Sequence, residues 1–581
     1  MTSEPRPAPF RMPDRLFAEL AAGAGSAEAV AFLERGERAR RLLLLRTLLD
    51  RLAALPTPLT PAAEAWDVLK SASERAPEAV ERLLLAPATG GWIAHMLRRV
   101  HGSASGPPLW AEAGHLCALA VTASLHAGTE TALRVPLTDG GLHLPGLGLA
   151  RIPDAEDGLT VGRARTSRGE LTVTGPGRNG TAVFVTCRPA TAPLGGREPA
   201  PGAGTARKTP CDEAPGDTAV HWFPLRTLTH TAANSPVAIP LDDLDPYRDL
   251  DDPLPPARLD AEEAAEWQRV FDEAVGVLTG PGAAADGPGR LDPALIRSVV
   301  PWGRTSVTPP APPTVGLSAS GGDSYGAMVI SRPAGGAALA ETLVHEFQHS
   351  KLGALLHLFP LLDDDGEERY YAPWRADPRH LTGLLHGAYA FTGVTGFWRD
   401  RMAEPHQPDA AAYHFALRRL QTRLVVRTLL ASGRLTAAGR RLVTGLAATV
   451  DAWLREPVDP AALARARTAA ALHRTEWRLR NVVPEASPSA SPRLRPDRPI
   501  WPDLRTHAFA TRPAVPRTPD EHLAAGNPSA ALDGYAESLA RDPADPHVLA
   551  GWIVARAAVD RGHAPRRLLA RPELLQPLPS G

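Results

Sequence analysis

The run AALAETLVHEFQHSKLGALLHLF (residues 337–359) has no proline, and no glycine before Gly353, so it reads as a helix. Leu343, Val344, Phe347, Leu352, Leu355 and Leu356 make that helix apolar and point to burial. Within it stand His345, Glu346 and His349, spelling H-E-x-x-H. Residues i and i+4 share a helix face, one turn apart. Two imidazoles and a carboxylate on a buried helix need partners, and a divalent metal held by His345 and His349 supplies one. Glu346 then stands within reach of a metal-bound water, where a hydrolase places its base. The competing account is a hydrogen-bonded helix that merely carries these letters.

At 581 residues the chain exceeds one simple core and suggests about two to four domains. Its texture predicts an α+β, mostly helical fold. Residues 1–130 read as a helical scaffold, with AEAVAFLERGERARRLLLLRTLLDRLAAL ending at Pro56. Residues 131–240 turn β-rich: LRVPLTDGGLHLPGLGLARI, LTVGRARTSRGELTVTG and TAVFVTCR are short runs split by glycine turns, which predict an antiparallel sheet. The stretch 191–218 that follows reads as a mobile loop. Residues 241–480 return to helix, apart from a short β-like segment in TVGLSASGGDSYGAMVIS, and hold the metal-binding region. Residues 481–517, rich in Pro, Ser and Arg, read as a linker or strap. Residues 518–581 resemble a tetratricopeptide helical hairpin in their Ala524, Ala531, Ala550, Gly526, Tyr535, Pro543 and Pro546. A single such unit is expected to pack on the main body.

A net charge of −1 points away from nucleic acid and acidic surfaces as partners. Lys70, Lys208 and Lys351 are the only lysines, a compositional bias toward Arg. Cys117, Cys187 and Cys211 are odd in number and dispersed, which suits a reducing compartment. MTSEPRPAPFRMPDRLF lacks the apolar core of a signal peptide, and the leucines at Leu42–Leu45 are soon interrupted by Arg and Asp. The expectation is a cytoplasmic protein with no membrane contact.

Two histidines need at least one further metal ligand. A zinc peptidase would draw a Glu from downstream. Glu367 and Glu368 are suitably spaced but sit in the loop-like DDDGEERYY. A metzincin would continue its motif after the second histidine, and Ser350-Lys351-Leu352-Gly353-Ala354-Leu355-Leu356-His357 does not. A non-haem iron site uses two His and a third side chain and leaves positions open for cosubstrate and O₂. His386 in GLLHGAYAF, whose small residues permit close helix packing, is the leading third-ligand candidate. A hydrogen-bonded core histidine is the alternative; His357 is too far along the helix, and His380 and His414 are weaker. Arg375 and Arg379 in YYAPWRADPRHL offer planar forks for a cosubstrate carboxylate. Alternatively they pair with nearby acids while Asp377 caps the next helix.

Three stretches, LSASGGDSYGAMVISRP, ETLVHEFQHSKLGALLHLFPL and YYAPWRADPRHLTGLLHGAYAF, together resemble the actinobacterial HEXXH-motif domain proteins, the α-ketoglutarate-dependent HExxH-type peptide β-hydroxylases. The likeness covers roughly residues 300 to 480 well and the N-terminal parts loosely. It implies mononuclear Fe(II) on His345 and His349, α-ketoglutarate as cosubstrate, a ribosomally made precursor peptide as substrate, and a radical SAM maturase as neighbour. It also implies that Glu346 is structural or outer-shell and not a hydrolytic base, and that the fold is not the double-stranded β-helix usual in such oxygenases. Zinc and a metallopeptidase activity remain the alternative that the motif alone would suggest.

Overall fold

The computed structural model describes residues 11–190, 221–232, 235–250, 252–280, 286–302, 316–404, 408–483, 493–495, 505–560 and 562–575. The expected mobile loop with Cys211, and residues 484–492 and 496–504 of the expected strap, fall outside these. The fold is α+β and mostly helical. It divides into two compact units, one of Leu33–Leu278 with Asp292–Ala354, the other of Met1–Phe32, Thr279–Leu291 and Leu355–Gly581. No helix among the described residues is long and apolar enough to cross a membrane.

In the first unit a helical layer packs on an antiparallel sheet. The helices include Ala62–Arg75, Pro77–Leu85, Pro87–Val100 and His115–Ala127. Pro77 and Pro87 open their helices, where a missing N–H costs nothing, and Gly128 ends the last in a left-handed turn (φ 63°). The strands are β1 (Thr131–Thr138), β2 (Gly141–Leu144), β3 (Gly148–Arg151), β4 (Leu159–Ser167), β5 (Glu170–Pro176), β6 (Ala182–Cys187) and β7 (Trp222–Pro224), in the order β6-β5-β4-β1-β2-β3-β7. Alternation decides which face is buried: Leu133, Val135 and Leu137 of β1 point inward. They meet Trp92, Ile93, Met96, Leu116 and Leu119 in one core. Arg168 and Gly169, both at positive φ, turn β4 into β5, as the twist of a tight hairpin requires.

The same unit holds a second sheet. β8 (Arg226–Ala232) and β9 (Ser235–Leu241) pair antiparallel. β10 (Ser298–Pro301) runs parallel to β9 and to β12 (Ala327–Ile330), and β11 (Ser318–Ala319) closes the sheet antiparallel to β12. The order is β11-β12-β10-β9-β8. The sequence reading set a boundary at residue 240, but this sheet draws strands from both sides of it. A parallel pair needs a long crossover, and the helix Ala261–Thr279 lies between β9 and β10 in the chain. The motif helix, Gly336–Leu358, follows β12. Its first residue sits against that crossover helix, where a side chain on Gly336 would meet Glu273 Cβ at 2.3 Å.

The second unit is helical: Asp14–Ala21, Leu381–Arg401, Pro408–Ala431, Ala437–Leu454, Pro460–Asn481 and the C-terminal Pro519–Ala524, Pro528–Arg541, Pro546–Val559 and His563–Ala570. Tyr413, Ala416 and Leu417 share a core with Ala466, Ala469 and Leu472, and with Leu523, Ala531, Tyr535 and Val554. The C-terminal helices therefore pack on the helices before them. Beneath this contact lies a buried ionic network. Arg505 donates to Glu476 Oε2 (3.2 Å) and Asp520 Oδ2 (3.0 Å), and Arg480 holds Glu476 Oε1. His547 bridges both acids through its two ring nitrogens.

Burial would lower His547, but Asp520 and Glu476 raise it to about 9. A raised folded value stabilises the fold fully below the ordinary histidine value of about 6.5, and that contribution is lost as pH climbs through 9. Melting temperature should therefore fall between pH 7 and 10 in the native chain, and fall less in His547→Gln. Equal losses in the two proteins, measured by circular dichroism, would refute the linkage.

Candidate metal centre

The motif helix is buried along most of its length: Leu339, Ala340, Leu343, Val344, Phe347, Leu352 and Leu355 are all inside. His345 and His349 occupy the partly open stripe, with the His345 side chain 22% exposed. The sequence explains the arrangement, because apolar residues at helical spacing cover the rest of the circumference.

The two ring nitrogens converge, with Nε2 to Nε2 at 3.1 Å and ring planes 76° apart. Two nitrogens each about 2.0–2.1 Å from one metal stand roughly 3.0–3.4 Å apart at ordinary inter-ligand angles. The pair therefore fits a shared divalent ion. Glu346 completes the one group of metal-capable side chains found among the described residues. Its Oε1 lies 4.0 Å from His345 Nε2. Direct coordination by that oxygen would need an inter-ligand angle of roughly 145°, wider than tetrahedral or cis-octahedral geometry allows. Glu346 is 1% exposed, and its Oε2 has no hydrogen-bond partner among the described residues. A buried carboxylate oxygen without a partner is costly, and a metal-bound water is the kind of group that would satisfy it.

Glu346 Oε1 accepts a 2.6 Å hydrogen bond from Ser318 Oγ on β11. The segment after β11 stays on that face, with Gly322 Cα 3.8 Å from where a side chain on Gly353 would begin. Glu346 and Gly353 are seven residues, about two turns, apart. Sequence reasoning missed Ser318. Its surroundings, LSASGG, belong to the segment read as β-like, and nothing local signals a contact 28 residues away.

The other expected site residues lie in the second unit. His386 is on Leu381–Arg401, and burial, with the charges of His380 and Arg379, pushes it down to about 4. It is thus a neutral imidazole at pH 7, as a ligand or a core histidine would be. The glycines near it were expected to admit a neighbouring helix. They admit the preceding segment instead: a side chain on Gly387 would meet Trp374 at 2.2 Å, and one on Gly383 would meet Arg379 at 2.9 Å. Arg375 and Arg379 both hold Asp377, at 2.8 and 3.5 Å. Asp377 is partly buried, but the Arg375 guanidinium keeps its carboxyl below the usual range. Asp377 was a candidate cap for the next helix. His380 takes that place, its side chain accepting from Gly383 N (3.4 Å), and Asp364 supports the same turn by accepting from Thr382 N (2.7 Å). Glu367 and Glu368 lie in neither helix nor strand, His357 is exposed, and His414 stacks on Trp398 with ring centroids 4.5 Å apart.

Among known proteins, no family model and no curated protein matches the chain.

Proposed function

We propose that this chain is an Fe(II)- and α-ketoglutarate-dependent peptide β-hydroxylase acting on a ribosomally made precursor peptide, in the cytoplasm and beside a radical SAM maturase. The observation that carries the metal is the 3.1 Å convergence of His345 and His349 on the open stripe of a buried helix. The choice of iron and cosubstrate comes from the resemblance of residues 300 to 480 to the HEXXH-motif hydroxylases. When bound, Fe(II) with α-ketoglutarate and O₂ would supply the oxidising chemistry, which no amino-acid side chain provides.

The protein's own residues would hold and orient. His345 and His349 bind the ion through Nε2. Glu346 accepts from Ser318 through Oε1 and keeps a buried Oε2 with no hydrogen-bond partner among the described residues. His386 enters as a further ligand on the grounds of its sequence setting. Arg375 and Arg379 are the proposed grips for the cosubstrate's far carboxylate; each would exchange Asp377 for it. The C-terminal helices Pro528–Arg541 and Pro546–Val559 are read as a tetratricopeptide-like hairpin. The fit of Tyr535 over Gly551 supports this, since a side chain there would come within 2.3 Å of the Tyr535 ring.

One observation favours a second reading, a zinc metallopeptidase: Glu346 Oε1 lies 4.0 Å from His345 Nε2, near enough for a hydrolytic base to act through one water on a metal held there. Incubation of the chain with a candidate peptide separates the two. The oxygenase should form succinate in step with a peptide mass gain of one oxygen atom, only when Fe(II), α-ketoglutarate and O₂ are all present. Glu346→Gln should retain part of that activity, because no activated water is needed. Chain cleavage that depends on Zn²⁺ and vanishes in Glu346→Gln would establish the peptidase instead.

A further inference from the structure

We propose that Ser318 is a positioning residue that holds the Glu346 carboxylate beside the metal position and off the metal. The inference rests on the metal reading of His345 and His349. Three observations meet here. Ser318 Oγ donates to Glu346 Oε1 at 2.6 Å, the short length of a hydroxyl bound to an ionised carboxylate. That same oxygen is 4.0 Å from His345 Nε2, too far to share an ion with it at an ordinary angle. Glu346 is 1% exposed, so loss of a donor to its carboxylate is costly.

Loss of the hydroxyl would leave both carboxylate oxygens buried and without that donor, beside a dication. Direct coordination is then the most favourable compensation. The held carboxylate keeps a coordination position open for substrate chemistry; the released one closes it. Ser318 is itself exposed, on a two-residue strand at the sheet edge, so its replacement does not open the core. Threonine keeps the hydroxyl and suits a strand.

The test titrates Co²⁺ into the full chain and its Ser318→Ala, Ser318→Thr, Glu346→Gln and Ser318→Ala/Glu346→Gln variants. Affinity is read by competition with a chromophoric chelator and coordination by the visible absorption of the bound ion. Ser318→Ala should bind Co²⁺ several-fold more tightly with an altered spectrum. Ser318→Thr should match the native chain. The Ser318→Ala effect should vanish when Glu346 is already Gln, because the serine acts through that carboxylate. An unchanged affinity and spectrum in Ser318→Ala, or a loss of Co²⁺ as in a histidine variant, would overturn the proposal. A native chain that binds no Co²⁺ would overturn the metal reading first and this inference with it, an outcome distinct from the other two.

Discussion

If His345 and His349 hold an ion as proposed, about one per chain, alanine at either should abolish its retention. The pair offers two nitrogens 3.1 Å apart, and either one alone is a single monodentate imidazole on a helix surface. Mutating a residue that merely supports a metal ligand typically costs about 10–100-fold in affinity. Removing a ligand itself should cost more than that, and metal analysis after gel filtration should show the ion gone. His386→Ala, the further ligand of the proposal, should weaken retention as well, and exposed His357→Ala should not. The histidine variants should stay folded, since both side chains lie on the partly open stripe and the helix is held by its apolar faces. Full iron content in His345→Ala would leave the pair as two hydrogen-bonded imidazoles and nothing more.

Arg505→Ala should be the most damaging substitution to stability in the second unit. The Arg505 side chain is 3% exposed and donates to Glu476, Asp520 and the carbonyl of His547. Glu476 is equally buried, with its side chain 2% exposed. Taking one partner from a buried pair costs about 3–5 kcal/mol, because the remaining charge stays inside without its counterion. Arg480 and His547 still face Glu476, which places the expectation near 3 kcal/mol, a fall in melting temperature on the order of 10 °C. The exposed pair Arg556 and Asp560 provides the contrast: their side chains are 46% and 44% exposed, and Arg556→Ala should cost under about 1 kcal/mol. Equal effects of Arg505→Ala and Arg556→Ala on a thermal melt would show that the network contributes nothing.

What could be read from the sequence was local. The motif helix announced itself through apolar spacing around His345 and His349. The first sheet did so through alternation in runs such as Leu133–Leu137 and through turns at Asp139-Gly140 and Arg168-Gly169. What escaped was joined over distance. Ser318 meets Glu346 because β11 is the edge of a sheet whose other members come from 226–241, 298–301 and 327–330, and no short window contains that pairing. His380 caps its helix with support from Asp364 across a loop, which no short window shows, so Asp377 looked the better cap. The glycines beside His386 were legible as room for something large, but not as room for Trp374 and Arg379 in particular.

The five-stranded sheet also decides what can be cut from this protein and survive. A fragment beginning at residue 241 would keep the entire H-E-x-x-H helix but lose β8 and nearly all of β9. β10, Ser298-Val299-Val300-Pro301, is buried on both sides and runs parallel to β9. Only Leu241, the residue of β9 that pairs with Val299, would remain, and the bonds tying the crossover helix to β8, Gln268 with Thr229 and Asp272 with His230, would be lost. Such a fragment should melt below the full chain, because the sheet beside the motif helix is left incomplete. A piece that keeps this sheet whole around the H-E-x-x-H helix starts ahead of Arg226, far upstream of the motif itself.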